Sequence, residues 1–249
     1  MRFGMRATTD RINELAGIID AVARHLGEGT VTITPTAITM KGLDKAHVVY
    51  IETVIYNTFF TEYQADEEER IGLNYEELAP IIKSITSADE ATLTITEGMV
   101  RVDAEEHGGT IRSFHLPTLT YEYATPERPN IEYKEYVDIP ISVLESALRD
   151  AALIKKMSMS EALTIKTTED HIIFCTTDSY AGFRVEYLHG CIVTKPQTSK
   201  YTLEHLQGLL ARISDTVTLG FEDDSPLHLQ IRGEGVDFEA LIAPRIITE

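Results

Sequence analysis

The feature that most limits the possible folds is a duplication. The segment "TVTITPTAITMKGLD" (30–44) recurs as "ALTIKTTEDHIIFCTTD" (162–178), each time just after a long helical stretch and just before another strand. "SITSADEATLTI" (84–95) recurs as "RISDTVTLGF" (212–221). "EELAPIIKSI" (76–85) recurs as "EHLQGLLARI" (204–213), with Leu206, Leu209, Leu210 and Ile213 standing for Leu78, Ile81, Ile82 and Ile85. Counterparts lie near 128 residues apart in a chain of 249. A spacing this constant marks one supersecondary unit used repeatedly. It predicts an α+β protein of two similar domains, each made of duplicated β-α-β-β-β units.

Helical periodicity is clear over 10–26, 75–85, 142–156 and 202–213, and the remainder alternates like strands. Asn74 with Glu77, and Ser142 with Glu145, have the spacing of a capping box at the start of the second and third helices. Pro80 removes a helical hydrogen bond and crowds the preceding turn, so a kink or a late start is expected there. The "HGG" at 107–109 reads as a hairpin turn. Between the repeats, "LPTLTYEYATPERPNIEYKEY" (116–136) has Pro117, Pro126 and Pro129 and no sustained period. Proline lacks a donor and restricts its predecessor, so this stretch is expected to cross the surface as an extended connector. The implied division is a domain over 1–116, a linker over 117–136 and a domain over 137–249.

Charge decides what such a scaffold can touch. Lys and Arg number 22 against 40 Asp and Glu, a net charge of −18, so the average surface repels nucleic acid. The four helical spans hold seven Lys or Arg and eight Asp or Glu, leaving 15 against 32, or −17, for the rest. At 100° per residue, Arg24 lies opposite the stripe Ile12, Leu15, Ile19, Val22 and Leu26, and Lys83 opposite Leu78, Ile82 and Ile85. Arg149 and Lys156 oppose Leu144, Ala147, Ala151 and Ile154, and Arg212 flanks the side away from the leucines. Taken singly, each is an ordinary solvated cation. Repeated on equivalent helices, they suggest a lining for phosphates, which carry no sequence information. Two cysteines, Cys175 and Cys191, with no early apolar run and no 18-residue apolar segment, point to a reduced intracellular protein outside the membrane.

These features, with "MKGLDKAHVVYIE" (40–52), "YQADEEERIGLNYEELAPIIKSI" (63–85) and the ending "ALIAPRI" (240–246), resemble the archaeal and eukaryotic DNA sliding clamps, the proliferating cell nuclear antigen family. The resemblance covers nearly the whole chain, and the short acidic ending is closer to archaeal members. It implies a closed homotrimeric ring with helices lining the hole and sheets outside, a processivity factor for DNA replication and repair. Such a ring encircles duplex DNA without catalysis or a cofactor. It further implies docking of DNA polymerase, clamp loader, flap endonuclease and DNA ligase through short peptides with paired aromatics. Carried onto this chain, the DNA-facing residues are Arg24, Lys83, Arg149, Lys156 and Arg212. The peptide pocket comprises Leu43, His47, Val48, Pro126, Ile131, Pro226, Leu241, Ile242, Ala243 and Pro244. Subunit edges fall near 110–116, with Arg112, Phe114 and His115, and near 179–187, with Tyr180, Phe183 and Arg184. Localisation would be cytoplasmic in an archaeon and nuclear in a eukaryote. Arg128, charged where many clamps have an aliphatic linker residue, and Pro80 are departures from the family pattern.

Two other readings stay open. Asp44 and His47 in "LDKAHV" could start a metal site or acid/base pair of a hydrolase, although no third ligand at fixed spacing, nucleophile elbow or phosphate-cradling loop accompanies them. A subunit of a heterotrimeric or checkpoint-type clamp would share the same fold.

Overall fold

The computed structural model describes residues 3–96, 98–120, 123–157, 161–177, 184–193 and 195–245. The order of elements repeats the sequence pattern. Strand β1 (Phe3–Thr9) leads into helix α1 (Ile12–Leu26), then β2 (Glu28–Ile33), β3 (Ala37–Leu43) and β4 (Val49–Tyr56). A 3-10 turn over Asn57–Phe59 precedes β5 (Glu62–Ala65) and β6 (Glu69–Asn74). Helix α2 (Tyr75–Ser84) and strands β7 (Glu90–Thr96), β8 (Met99–Glu106) and β9 (Thr110–Pro117) complete the first half. The second half runs β10 (Tyr136–Pro140), α3 (Ile141–Met157), β11 (Ala162–Thr167), β12 (His171–Thr177), β13 (Arg184–Gly190), β14 (Thr198–Thr202), α4 (Leu203–Gln207), β15 (Thr216–Gly220), β16 (Leu227–Gly233) and β17 (Val236–Ile242). The turn at 107–109 joins β8 to β9 as expected, with Gly108 and Gly109 at φ 89° and 81°, a region open to glycine at little steric cost.

Three antiparallel sheets result. One has the order β5-β1-β7-β8-β9, one β6-β2-β3-β4-β17-β16-β15-β10, and one β14-β11-β12-β13. The eight-stranded sheet joins the two halves where β4 pairs with the whole length of β17, from Val49 opposite Ile242 to Ile55 opposite Val236. Strands alternate their side chains between faces, so cross-strand partners line up in rows. The row Gly42, Ile51, Ala240, Leu229, Leu219 and Val137 faces inward. Helix α1 packs on β3 and β4 of this sheet, α2 on α1, β2 and β9, and α3 on β10 and on β12 and β13 of the four-stranded sheet, and one continuous buried cluster runs from Met5 to Ile242.

Helix ends explain where sequence periodicity and structure part. At α2, the Asn74 side chain accepts from the Glu77 amide at 3.0 Å, and the Gly27 carbonyl at the end of α1 accepts from the Tyr75 and Glu76 amides. Three of the orphan donors of the first turn are thereby satisfied. The helix starts at Tyr75, so Pro80 causes no late start and is housed inside the helix. Helix α3 starts two residues earlier than its capping signature suggests. Ile141 is already helical and donates to the Asp215 carbonyl at 2.8 Å, so Ser142 is not its N-cap. The largest difference is at α4. The expected helix over 202–213 ends at Gln207, because Gly208 closes it and the chain then turns through short-range bonds from Ala211 to Leu209 and from Ile213 to Ala211.

Candidate functional site

On the helix side, the cations are exposed, and each that the structure describes has a polar partner. The Asp20 carboxylate on α1 accepts from Lys83 of α2 at 2.5 Å and from Arg24 at 3.0 Å. Burial alone would push the Asp20 carboxyl up, and the Lys83 and Arg24 bonds outweigh it and hold it below the ordinary carboxylate range. Arg212, in the turns after α4, bonds Glu145 of α3 at 2.9 Å, and Arg149 bonds the Ser146 hydroxyl at 2.9 Å. The pattern of opposed stripes therefore positions Arg24, Lys83 and Arg149 as expected, but Arg212 sits on no helix and the positive charge is largely offset by carboxylates. The backbone of Lys156 lies in α3.

On the opposite face of the eight-stranded sheet, a second set of residues converges. Leu43, Tyr50, Leu241, His228, Gly220 and Tyr136 are successive cross-strand partners over β3, β4, β17, β16, β15 and β10. Tyr50, Leu241 and Tyr133 of the connector form a small buried cluster of their own, packed by Leu43 and Ile131. Tyr133 stacks on His228 at 5.8 Å between ring centroids and donates to the Pro226 carbonyl at 2.6 Å. Gly220 makes room for this, since a Cβ there would lie 2.7 Å from the Tyr136 ring. The structure thus brings together Leu43, Ile131, Pro226 and Leu241. Ile242 is a correction: alternation turns it to the other face, where it is fully buried in the main core. Val48 likewise packs against the main core, while Pro126, Ala243 and Pro244 are half-buried.

Asp44 and His47 do not assemble a reactive pair. Asp44 is buried, and one of its oxygens accepts from the Val48 and Val49 amides at 2.7 and 2.8 Å, which is the work of a turn residue. His47 is exposed with φ 57°, at the tip of that turn. Among the described residues, no three His, Cys, Asp or Glu side chains are grouped to hold a metal ion. No helix among them is long and apolar enough to cross a membrane.

The third set lies on open strands. β9 ends the five-stranded sheet and β13 ends the four-stranded one, and each leaves one side of its backbone without a strand partner among the described residues. On β9, Arg112 bonds Glu106 at 2.5 Å and donates to the Ser84 carbonyl, Phe114 packs on the core, and His115 Nδ1 lies 3.3 Å from Met99 Sδ. On β13, Arg184 pairs with Glu186. Ile111 and Leu188 are exposed on the two edges. Tyr180 and Phe183 lie outside the described residues.

Sequence reasoning missed Tyr50, Tyr133, Tyr136, His228 and Glu239. Tyr50, Tyr136, His228 and Glu239 had only alternation within single strands as a signal, and Tyr133, in the aperiodic connector, had none; which strands become neighbours was not readable from either.

Repeated halves, helices on one side of a shared sheet, and end strands β9 and β13 in different halves define a clamp-type architecture. The comparisons agree. Residues 7–104 match the model of the proliferating cell nuclear antigen N-terminal domain. The chain is 29% identical to the DNA polymerase sliding clamp of Methanothermobacter thermautotrophicus over 95% of its length and 96% of that relative, and 27% identical to that of Pyrococcus horikoshii over 94% and 95%. Its fold matches the proliferating cell nuclear antigen of Thermococcus kodakaraensis with a TM-score of 0.85 at 19% identity, covering 97% of this chain and all of that one. Over nearly its whole length the chain is thus similar to the archaeal DNA polymerase sliding clamps, and within its first half to the N-terminal domain of proliferating cell nuclear antigen.

Proposed function

We propose that this chain is a DNA polymerase sliding clamp, a tether that holds replication enzymes to duplex DNA and performs no chemistry of its own. Full-length similarity to the archaeal clamps carries the reading. In it, residues 1–116 and 137–249 are the two domains and 117–136 the linker. Three copies close head to tail, β9 of one meeting β13 of the next, with Arg112, Phe114 and His115 opposite Tyr180, Phe183 and Arg184. Arg24, Lys83, Arg149, Lys156 and Arg212 face the encircled duplex. Polymerase, clamp loader, flap endonuclease and ligase dock by short peptides over Leu43, Ile131, Pro226, Leu241 and the tail at Ala243 and Pro244, with His47 at the rim.

The test is mass in solution together with topology. Light scattering should give about three times the 27.9 kDa of the chain, and Phe114→Asp with Leu188→Asp should give monomers. A loaded clamp should stay on circular DNA and leave it after linearisation. A monomeric wild type would sink the homotrimer. It would favour instead a subunit of a mixed ring, a reading supported by the likeness to a chain of the PCNA2-PCNA3 complex of Sulfolobus tokodaii, with a TM-score of 0.82 at 19% identity.

A further inference from the structure

The connector is longer than its path. Leu119 is bridged to Gly72 on β6, at one edge of the eight-stranded sheet, and Tyr136 begins β10 at the other edge. Eight strands are seven spacings, or about 34 Å. The 17 residues from Leu119 to Tyr136 can reach about 56 Å when extended. Slack on the order of 20 Å means that geometry alone does not hold the connector against the sheet. From Thr125 onward no ladder does so either, because side chains make the attachments. Arg70 donates to the Thr125 hydroxyl at 2.8 Å, Tyr133 donates to Pro226, and the Lys134 amide donates to Glu222 at 3.2 Å.

Between those fastenings, one carboxylate is shared. Glu239 on β17 pairs with Arg128 at the middle of the connector, and its Oε1 lies 3.3 Å from Nε2 of the buried His228 on β16. Burial would push the Glu239 carboxyl up, yet its contacts to His228 and Arg128 hold it below the ordinary range. His228 is in turn covered by Tyr133 and met edge-on by Tyr136. The apolar row of Leu43, Tyr50 and Leu241 runs alongside. We propose that Glu239, held between Arg128 and His228, is a clasp that positions the connector over the eight-stranded sheet and so sets how long a partner's peptide stays on that row. The first half of this stands on the contacts alone, and the second rests on the docking reading above. It also accounts for the charged residue at position 128, which meets a carboxylate of the sheet.

The experiment compares Glu239→Gln, Arg128→Ala and Arg128→Lys on the full chain, with two readouts. Chymotrypsin cleavage within residues 119–136 reports how often the connector lifts, and a fluorescent peptide with paired aromatics reports dissociation. Losing a partly exposed charged bond of about 0.7–1.4 kcal/mol corresponds to a roughly 3- to 10-fold change. Glu239→Gln and Arg128→Ala should each speed cleavage and peptide dissociation by that factor, and Arg128→Lys should recover part of both. Unchanged cleavage in both variants would overturn the clasp. Faster dissociation with unchanged cleavage would also overturn it, since Arg128 and Glu239 would then touch the peptide themselves. Faster cleavage with unchanged dissociation would overturn the link to affinity. If wild type binds no such peptide, the docking reading fails while cleavage still decides the clasp.

Discussion

Helix α2 and the segment from α4 to Ile213 derive from the same sequence pattern and fold differently. In α2 the buried residues Tyr75, Leu78, Ala79 and Ile82, with Ile85 just past its end, keep the spacing of a helix. After Gly208 the fully buried residues are Leu209, Ala211 and Ile213, every second position, while Leu210 is only half-buried against the core and Arg212 is exposed. A leucine pattern spaced 206, 209, 210 and 213 is compatible with both. What separates them is at the start and at one glycine. α2 has the Asn74 cap and the Gly27 carbonyl, whereas Thr202 makes no side-chain cap and only the Leu203 amide finds a carbonyl, that of Glu161. At Gly208 the backbone passes so close to α1 that a Cβ would lie 2.6 Å from His25 Nε2. The lesson is that a repeated apolar pattern fixes which side is buried more firmly than it fixes the conformation that buries it.

The largest effects should therefore be indifferent to the difference. Ile82 and Leu209 are both fully buried, one in a helix and one in irregular chain. Ile82→Ala and Leu209→Ala should each cost about 2–5 kcal/mol, since the removed methyl groups and the cavity left behind count the same in either backbone. Denaturant melts of the two variants check this. A Leu209→Ala cost below 1 kcal/mol would mean that the turned segment is not part of the core.

The sequence made the duplication, the presence of four helices, the capped start of α2 and the turn at Gly108 legible because each has a local physical cause: a period, a cap, a glycine pair. The eight-stranded sheet was not legible. That β4 pairs with β17, nearly 200 residues later, depends on which edges are free once both halves have formed, and no single segment encodes it. For the same reason Leu43 and Leu241 could be named for a pocket, but the intervening Tyr50 and the covering Tyr133 could not. Ile242 was grouped with them because adjacency in sequence hides that neighbours in a strand face opposite ways.

A smaller effect tests the contact between α1 and the turned segment. Burial, with a lesser contribution from His205, pushes the His25 imidazole from 6.5 down to about 4. The folded state then binds fewer protons than the unfolded chain between those values. Stability should be complete above pH 6.5 and decline as pH falls toward 4, and His25→Gln should flatten that decline in melts across the window. The same slope in the variant would place the titration elsewhere.

Capping should separate the two helices directly. Asn74→Ala removes the bond to the Glu77 amide and should cost about 1 kcal/mol. Thr202→Ala removes no such bond and should stay within about 0.5 kcal/mol. Equal costs at the two positions would mean that α4 is capped in solution as α2 is.

The smallest effect on stability is expected at the cations, and it bears most on function. Asp20 serves Lys83 and Arg24 in the first half, and Glu145 serves Arg212 in the second, all at the surface. Exposed pairs of this kind contribute about 0–1 kcal/mol, so Asp20→Asn with Glu145→Gln should barely move a melt. Yet the variant frees three cations per chain from their carboxylates. If those cations face phosphates, each one engaged should steepen the fall of DNA affinity with salt by about 0.9 in the logarithmic slope. Wild type, whose cations are partly neutralised, should show weak binding to linear DNA and a shallow slope, as the proposed sliding ring requires. Removing the cations instead, with Lys83→Ala, Arg149→Ala and Arg212→Ala, should impair loading while ring mass and peptide binding stay unchanged. The comparison is sharpest if the Asp20 and Glu145 variants are measured separately, because the first half offers two cations on one carboxylate and the second offers one. An unchanged salt slope in both would mean that the repeated cations are a solvated face and nothing more.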